Sequence, residues 1–504
     1  MERSDLEKIR LEKIQTMRAE GIEPYPTRAE LTASIADAIS AFEKVEAAAS
    51  GELLTHTLGG RLRAIRTMGK LAFAHIEDGT GKIQLFLRVN ELGEGNMAMF
   101  KELFDIGDYI QARGEVVRTR TGEVSLQVKD FKMLAKSITP LPAAKDEVVD
   151  GVVVRHATLA DPETRYRQRY ADLAVNEDVR KVFRTRAAIV TALRSFLDDN
   201  DFLEVETPIL QPIYGGAAAK PFVTHHNQLK QDLFLRISFE LYLKRLTVGG
   251  FDRVYEIGRD FRNEGVSFKH NPEFTQLEFY WAYADYLKVM ELTEQMVAAV
   301  CDKVLGTRKV MYEGVELDFN PPWKRVNLRQ SLIEASGIDI SQHPTAETLE
   351  KVMEGKGLKF KPGEARGKLI GQLLEEFVEP TLIQPTFLYD YPRDISPLAK
   401  NIPGDTTMVE RFEGFVAGME LCNAFTELND PLEQEARFEE MGRDYKAEDE
   451  ERHPMDEDYL RAMSYGMPPQ GGFGMGVDRL TMILTDRRTI REVLLFPHLR
   501  NIGE

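Results

Sequence analysis

The chain has 504 residues, more than a single hydrophobic core usually organises, so two or three domains are expected. Its formal net charge of −17 argues against a polyanionic partner for the chain as a whole, because phosphate binding depends on Lys and Arg. Two cysteines without a CxxC pattern, and no run of eighteen apolar residues, argue against a disulfide framework, a structural zinc site and a membrane-spanning helix, and they predict a soluble protein of the reducing cytoplasm.

Residues 1–57 are expected to form a helical extension. Apolar residues recur there at roughly helical spacing and are followed by a glycine stop signal, as in Leu6, Ile9, Ile14, Met17 and Gly21. The basic residues Lys8, Arg10 and Lys13 of this helix fit a solvated mixed-charge face as well as they fit an RNA contact.

Residues 58–137 are predicted to form a five-stranded β-barrel. Short apolar runs are separated by turn signals, and apolar and polar residues alternate at 82–87 and 123–128, as in half-buried strands. The segment holds 13 Lys and Arg against 10 Asp and Glu, so it is locally basic within an acidic chain. This combination is typical of an oligonucleotide-binding (OB) fold.

A linker at 138–170, marked by Pro140 and Pro142, is expected to lead into a larger domain at 171–504. Residues 178–196 carry one apolar stripe and predict a long helix that ends near Asn200. Beyond it, strands and helices mix without regular βαβ alternation. We therefore expect an α+β domain built on an antiparallel sheet flanked by helices.

Three short runs, at 260–265, 270–275 and 472–480, carry the chemistry. Arg262 and Arg479 each supply a planar guanidinium that can pair with phosphate and carboxylate groups, and Phe274 supplies a flat face on which a base can stack. The glycines of the third run lack the spacing of a dinucleotide-binding fingerprint, so a strand that passes into a helix beside a nucleotide is the preferred interpretation. Together the runs predict nucleotide-dependent activation of a carboxylate.

With these runs, the sequence from about residue 58 to residue 500 resembles the class II aminoacyl-tRNA synthetases, and among them the lysyl-tRNA synthetases. Further family-like runs lie at 202–208, 215–219, 240–246, 396–400 and 423–430. The resemblance implies that lysine and ATP give an enzyme-bound lysyl-adenylate, and that the lysyl group then passes to the terminal adenosine of the lysine tRNA. It also implies a homodimer with 202–208 at its interface.

The resemblance further implies a nucleotide site. Arg262 and Arg479 would be the catalytic residues, with Arg262 bridging the lysine carboxylate and the α-phosphate. The implied ATP contacts are Arg262, Glu264, His270, Asn271, Phe274, Glu413, Glu420 and Arg479. Glu413 and Glu420 match the acidic pair that in this family ligates the magnesium bound to ATP, although two glutamates seven residues apart are by themselves a weak signal.

The lysine pocket implied by the resemblance consists of Gly216, Glu240, Arg262, Glu278, Tyr280, Asn423 and Glu427. The negative charge of its three glutamates suits a substrate with two ammonium groups, whereas a pocket for aspartate would need Arg, Lys or His. Taken without the resemblance, each glutamate would be interpreted as a solvated residue of a helix or strand.

In the barrel, Arg66, Phe73 and Gln84 match positions at which related synthetases read the central anticodon uridine by stacking and by hydrogen bonds to the base edge. Glu123 is expected at the same or a neighbouring base. The alternative for Phe73 is a place in the barrel core.

The sequence departs from the family pattern in two places, and three rival functions are open to it. Lys269 stands where bacterial relatives commonly carry arginine, and Cys422 and Ala424 stand where many carry glycine. A lysine-activating enzyme that modifies a protein is disfavoured by the barrel, and a silent homologue by the presence of Arg262 and Arg479. An aspartyl or asparaginyl enzyme is opposed by the three pocket glutamates.

Overall fold

The computed structural model describes residues 3–142, 145–149, 152–156, 159–444 and 454–500. Within the predicted linker at 138–170, residues 143–144, 150–151 and 157–158 therefore lie outside the described residues. The chain divides into two compact units, Met1–Asp161 and Pro162–Glu504. No helix in the described parts of the chain combines the length and apolar character needed to cross a bilayer.

The first unit contains a closed five-stranded barrel with the strand order β1-β2-β3-β5-β4. Its elements are α1 (Asp5–Ala19), α2 (Ile35–Ala47), β1 (Thr55–Met68), β2 (Leu71–Glu77), β3 (Lys82–Arg88), α3 (Val89–Leu103), β4 (Tyr109–Arg118), β5 (Val124–Ala135), β6 (Lys145–Val149) and β7 (Val152–His156). Strands β6 and β7 form a separate two-stranded antiparallel sheet. The predicted OB barrel is thus confirmed.

The predicted N-terminal helix is confirmed as α1, which begins after a Ser4 capping box and buries Ile14 and Met17. Its basic residues contact the same unit. Arg10 donates to the carbonyl of Ser137 at 2.9 Å, and Lys13 lies 2.8 Å from Asp105. These contacts favour a structural role for the basic face over an RNA contact.

The second unit is built on an eight-stranded sheet with the order β16-β17-β18-β19-β20-β13-β12-β8. The strands of the second unit, in the large sheet and outside it, are β8 (Leu203–Glu204), β9 (Leu210–Gln211), β10 (Val223–His226), β11 (Gln231–Leu235), β12 (Arg253–Phe261), β13 (Glu273–Ala282), β14 (Lys309–Tyr312), β15 (Val315–Asp318), β16 (Lys324–Asn327), β17 (Thr386–Pro392), β18 (Met408–Val416), β19 (Met419–Thr426) and β20 (Gln470–Gly476). All neighbouring pairs of the large sheet are antiparallel except β8–β12 and β16–β17. The expected α+β architecture is confirmed.

Helices flank this sheet. They are α4 (Pro162–Arg167), α5 (Arg169–Val175), α6 (Glu177–Asp198), α7 (Glu240–Val248), α8 (Tyr286–Leu305), α9 (Leu328–Ser336), α10 (Ala346–Gly355), α11 (Arg366–Phe377), α12 (Pro431–Asp444), α13 (Glu457–Ser464), α14 (Val477–Leu484) and α15 (Ile490–Val493). Helix α6 is the long helix expected at 178–196, and its apolar stripe packs with α8 and α14 into the main core under the sheet. Phe279 of β13 and Phe473 of β20 stack at 4.6 Å within that core.

Candidate functional site

The central strands β13, β19 and β20 form the floor of a cleft of about 360 Å³. Of the site residues predicted in this unit, all but Glu427 line it: Gly216, Glu240, Arg262, Glu264, His270, Asn271, Phe274, Glu278, Tyr280, Glu413, Glu420, Asn423 and Arg479. The structure therefore brings together residues that the sequence spreads over more than half of the chain.

Strand β13 sets the spacing of three of these side chains. Phe274, Glu278 and Tyr280 are separated by even numbers of residues, so they share the face of the strand that lines the cleft. The β13–β20 register places Gly474 opposite Glu278 and Gly472 opposite Tyr280. Glycines in the neighbouring strand leave the space that these long side chains occupy.

The end of the cleft near α14 is rich in cationic and aromatic groups. Strand β20 passes directly into α14, as predicted for this run, and this transition projects Arg479 into the cleft. Arg479 donates to the carbonyl of Glu420 at 2.6 Å and to its carboxylate at 3.0 Å. The guanidinium of Arg262 lies 5.1 Å from the centre of the Phe274 ring. Such a site suits a polyphosphate joined to a flat base.

His270 lies at the same cationic end of the cleft, beside Arg479. Its Nε2 is 3.3 Å from Arg479 Nη2, and its Nδ1 is 2.9 Å from Ser267 Oγ. Burial, together with the positive charges of Arg479 and Lys269, lowers the pKa of His270 to about 4. The imidazole is therefore neutral near pH 7.

Glu413 and Glu420 lie on the neighbouring strands β18 and β19 and interact electrostatically with each other. Glu413 accepts from Arg411 at 2.6 Å and from the Tyr391 hydroxyl at 2.8 Å. Burial raises the pKa of Glu413, whereas for Glu420 the charge and hydrogen bond of Arg479 outweigh burial and lower the pKa.

The opposite end of the cleft is acidic. Glu278 Oε1 accepts from Ser238 Oγ at 2.8 Å and from Gln276 Nε2 at 3.1 Å, and the Tyr280 hydroxyl donates to Glu278 Oε2 at 3.3 Å. Burial, and then the nearby Asp260 and Glu240 carboxylates, raise the pKa of Glu278 well above its ordinary value. A bound cation would offset both effects.

Glu427 is fully buried and follows β19. Its carboxylate lies against the Cα of Gly472, since a Cβ there would come within 1.8 Å of Glu427 Oε1. It forms an ion pair with Lys244, which lies 2.5 Å from Glu240 on its other side. Lys244 was not singled out from the sequence. The one available signal was its position four residues after Glu240, on the same helix face.

The outer face of the barrel carries the four predicted anticodon residues. Ala72, Ala74 and Ile76 of β2 are buried, so the alternating Phe73 faces outward and is not a core residue. Phe73 stacks on Phe86 of β3 with ring centres 5.0 Å apart and planes 8° apart. The strand register places exposed Arg66 opposite Phe73.

Gln84 and Glu123 lie on the same barrel face. Gln84 donates to Glu123 at 2.7 Å, and His75 lies 2.8 Å from the other oxygen of Glu123. Phe86 and His75 were missed from the sequence, although alternation along β2 and β3 places both beside predicted residues. The face thus offers an aromatic platform next to a polar cluster, as expected for a single-stranded nucleic acid.

Comparisons with known proteins agree with this geometry. Residues 56–134 match the model of an OB-fold nucleic acid binding domain, and residues 161–500 match that of the class II tRNA synthetases (D, K and N). The chain is 51% identical over 501 residues to a lysine–tRNA ligase of Chloroflexus aurantiacus, with 99% of each chain covered. It is 50% identical to that of Moorella thermoacetica over 99% of this chain and 98% of the relative.

A third relative, the lysine–tRNA ligase of Roseiflexus castenholzii, is 51% identical over 503 residues and is covered over 99% of its length. These matches span both compact units. The family-model match alone includes every strand of the eight-stranded sheet and every residue that lines the cleft. The chain therefore belongs to the class II tRNA synthetases (D, K and N), in the family of the lysine–tRNA ligases.

Proposed function

We propose that this protein is a lysine–tRNA ligase, which activates L-lysine with ATP to enzyme-bound lysyl-adenylate and transfers the lysyl group to the 3′ end of the lysine tRNA. One observation carries the proposal. A single cleft has arginines and an aromatic ring at one end and buried carboxylates at the other, with room for a reacting carboxylate between them.

The first step joins two anions, so catalysis consists mainly of positioning and charge stabilisation. Arg262 binds the lysine carboxylate and the α-phosphate together, and Arg479 holds the terminal phosphate or covers the adenine. Phe274 stacks on the adenine and Glu264 contacts its edge. In this scheme the substrate carboxylate is itself the nucleophile, and no covalent bond to the protein is needed.

His270 and Asn271 take part in the phosphate end of the site. His270 is neutral near pH 7, so it can contact a phosphate only as a neutral donor until the phosphates raise its pKa. Asn271 lines the cleft and uses its side-chain amide to donate to the carbonyl of Glu273 at 2.5 Å, which anchors the loop.

Glu413 and Glu420 fit a magnesium ion that is shared with ATP. Both offer hard oxygen ligands. Glu413 pairs with Arg411 and Glu420 pairs with Arg479, and the phosphates of ATP would attract both arginines. Among the described residues, no three His, Cys, Asp or Glu side chains form a group that could hold a metal ion alone, which agrees with an ion that takes its other ligands from ATP and water. Bound magnesium would neutralise phosphate charge during the attack.

Lysine selection rests on the acidic end of the cleft. Glu240 and the carbonyl of Gly216 take the α-ammonium, and Glu278, Tyr280 and Glu427 surround the ε-ammonium. Asn423 orients the carboxylate and is itself held by Arg411, whose Nε donates to its side-chain oxygen at 3.0 Å. The raised pKa of Glu278 supports this assignment, because a buried carboxylate in acidic surroundings binds a cation strongly.

The barrel is proposed to read the anticodon of the lysine tRNA. Phe73 would stack on the central uridine with Arg66 beside it, and Gln84 and Glu123 would contact base edges. Support comes from the outward position of the Phe73–Phe86 pair and from the hydrogen bond that fixes Gln84 against Glu123.

The test is ATP–pyrophosphate exchange with each of the twenty amino acids, followed by charging of total tRNA in the same preparation. We expect exchange with lysine and charging of lysine tRNA. The variant Glu278→Gln should raise the lysine KM by about 100-fold, since truncating a desolvated charge contact costs about 2–5 kcal/mol, and should leave the ATP KM near wild type. Exchange with another amino acid in place of lysine would overturn the proposal.

We also propose that the active form is a homodimer. Support comes from apolar side chains that remain exposed at and beside the run 202–208, namely Leu203, Ile209 and Leu210, and near the C-terminus, where Phe496 is 72% exposed. Phe496 also lines a groove of about 760 Å³ with Phe183 and Val190 of α6. Light scattering should give twice the chain mass of 57.3 kDa, and a monomer mass at assay concentration would contradict the proposal.

A cytoplasmic location is proposed as well. Cys301 and Cys422 are both free and buried, a state that a reducing compartment maintains. Burial raises the pKa of the Cys301 thiol to about 12, so this thiol stays protonated and unreactive. Fractionation of cells and detection with a specific antibody would test the location.

A further inference from the structure

Lys244 is a buried cation at the acidic end of the cleft. Helix α7 begins at Glu240, and Lys244 follows one turn later, fully buried, with its Nζ 2.5 Å from Glu240 Oε1. On its other side the same Nζ forms an ion pair with Glu427. One ammonium group therefore joins a carboxylate of α7 to a carboxylate that follows β19.

Three aromatic rings lie around this ammonium. Nζ lies 5.9 Å from the ring centre of Tyr280, 5.4 Å from that of Phe425 and 6.0 Å from that of Tyr459. Burial alone would lower the pKa of Lys244, but the carboxylates of Glu240 and Glu427 outweigh burial and raise it. The side chain is therefore a permanent positive charge beside the pocket.

The charges of the pocket can be counted against those of the substrate. Burial raises the pKa of Glu240, Glu278 and Glu427, and two ammonium groups beside them would favour their ionised forms. When lysine is bound and all three are ionised, they carry three negative charges, whereas lysine brings two ammonium groups and leaves its carboxylate for Arg262. One negative charge would remain unmatched in a buried site, which is costly. Lys244 supplies the missing positive charge, so the pocket has a net charge of −2 for a substrate end of +2.

Arg236, Glu256 and Asp260 form a second group of charged side chains, and this group changes the charge count of the pocket little. Arg236 pairs with Glu256 at 2.6 Å and lies 3.5 Å from Asp260. Burial raises the pKa of Asp260 to about 7, so this carboxyl contributes only part of a charge near neutral pH.

We propose that Lys244 is a positioning residue that matches the charge of the pocket to the two ammonium groups of lysine and holds Glu240 and Glu427 on either side of it. The inference rests on the proposed function of the cleft. It assigns to α7 a part in substrate selection, because Lys244 and Glu240 are held on one face of that helix.

The test compares Glu427→Gln with the double variant Glu427→Gln, Lys244→Met in lysine-dependent ATP–pyrophosphate exchange. Glu427→Gln alone leaves the positive charge of Lys244 in excess, and we expect the lysine KM to rise about 100-fold. Adding Lys244→Met restores a net charge of −2 and should lower the lysine KM by about tenfold relative to Glu427→Gln. The ATP KM should stay within about twofold of wild type in both proteins.

A purely structural role for Lys244 predicts the opposite change. A second buried substitution would then leave the lysine KM of Glu427→Gln unchanged or raise it further, and either result would overturn the inference. If the methionine variant does not fold, Lys244→Leu in the Glu427→Gln background makes the same comparison. Wild-type protein that fails to exchange with lysine would instead overturn the proposed function itself.

Lys136 provides a matched control. It is a buried lysine of the first unit, with its Nζ 2.7 Å from Asp108 and 2.5 Å from Asp105. Lys136→Met should lower thermal stability through the same loss of a buried ion pair and leave the lysine KM of the exchange reaction at the wild-type value. A raised lysine KM in this control would mean that the lysine KM responds to general destabilisation. That result would overturn the proposed role of Lys244 in matching the charge of the pocket.

Discussion

Gly472 lies close to two side chains at the acidic end of the cleft. A Cβ at this position would lie 1.8 Å from Glu427 Oε1 and 2.6 Å from Tyr280 Cε1, so both side chains would have to move. Overpacking of this kind costs about 1–3 kcal/mol, and we expect Gly472→Ala to raise the lysine KM about 10- to 100-fold in ATP–pyrophosphate exchange. The ATP KM should change little, because the displaced groups belong to the lysine pocket.

Gly371 of α11 is the control for this substitution. A Cβ there would meet no atom within 4 Å, so Gly371→Ala should leave both KM values unchanged. A wild-type lysine KM in Gly472→Ala would mean that the positions of Glu427 and Tyr280 do not determine lysine binding.

His270 should report the arrival of phosphate groups. Burial, Arg479 and Lys269 lower its pKa to about 4, and a polyphosphate placed beside the ring would oppose the two positive charges. We therefore expect NMR titration of the His270 ring to show protonation near pH 4 in the free protein and at a higher pH when ATP is bound. An ATP-saturated protein with an unshifted titration would place the phosphates away from His270.

Residues within the three sequence runs could be predicted because each run keeps its members close together along the chain. Lys244 could not be predicted in its role, because its second partner, Glu427, meets it only through the packing of α7 against the end of β19. Phe86 was missed for a related reason. An outward-facing aromatic side chain on a strand can be assigned to the binding face only when the strand register shows that it stacks on Phe73.

One carboxylate joins three elements at the nucleotide end of the cleft. Asp478 of α14 pairs with Arg186 of α6 at 2.5 Å and accepts from the backbone N–H of Thr275 in β13 at 2.8 Å. Arg186 also donates to the Thr275 hydroxyl at 2.9 Å. This contact holds the strand of Phe274 against the helix of Arg479.

We expect Asp478→Asn to weaken ATP binding more than lysine binding. The substitution removes the buried charge that pairs with the half-buried Arg186, which costs about 2 kcal/mol of stability, and it loosens the two elements that carry Phe274 and Arg479. The predicted results are a lower thermal unfolding midpoint and an ATP KM raised about tenfold, with a smaller change in the lysine KM.

The control is Asp302→Asn, which removes the α8 partner of Arg308 in an exposed ion pair between the helix and the segment that follows it. Exposed pairs contribute little, so this variant should keep the wild-type midpoint and KM values. Equal effects of Asp478→Asn on both KM values would show that the contact supports the whole cleft and not its nucleotide end.

Sequence periodicity was sufficient to predict the helices and strands whose apolar pattern is contained in one continuous segment. The apolar stripe at 178–196 became α6, and the alternating runs in the barrel became β3 and β5. The parallel pairs β8–β12 and β16–β17 were not predicted. Parallel strands are joined by long connections, so their pairing depends on residues far apart in the chain and leaves no local signal.

The two compact units carry different parts of the proposed reaction. The cleft lies entirely within the second unit and the Phe73 platform entirely within the first. The net charge of −17 describes the chain as a whole and does not show that the two units differ in charge. The barrel segment is locally basic, while much of the acidity lies in the second unit. Amino acid activation and tRNA recognition should therefore be separable by substitution.

Phe73→Ala is expected to separate them. The lysine and ATP KM values of the exchange reaction should stay at wild type, because no part of the cleft is changed. Stacking of one base on an aromatic side chain contributes about 1–3 kcal/mol, so kcat/KM for charging of lysine tRNA should fall about 10- to 100-fold.

Tyr109 of β4 offers a matched aromatic control on the same barrel. It is 40% exposed and lies under the guanidinium of Arg61, outside the Phe73 platform. Tyr109→Ala should preserve both exchange and charging. If Phe73→Ala also charges tRNA normally, the barrel contacts the tRNA through another face. A loss of exchange in Phe73→Ala would instead show that the two units are coupled in the first step, because the substitution lies on a barrel that contributes no residue to the cleft.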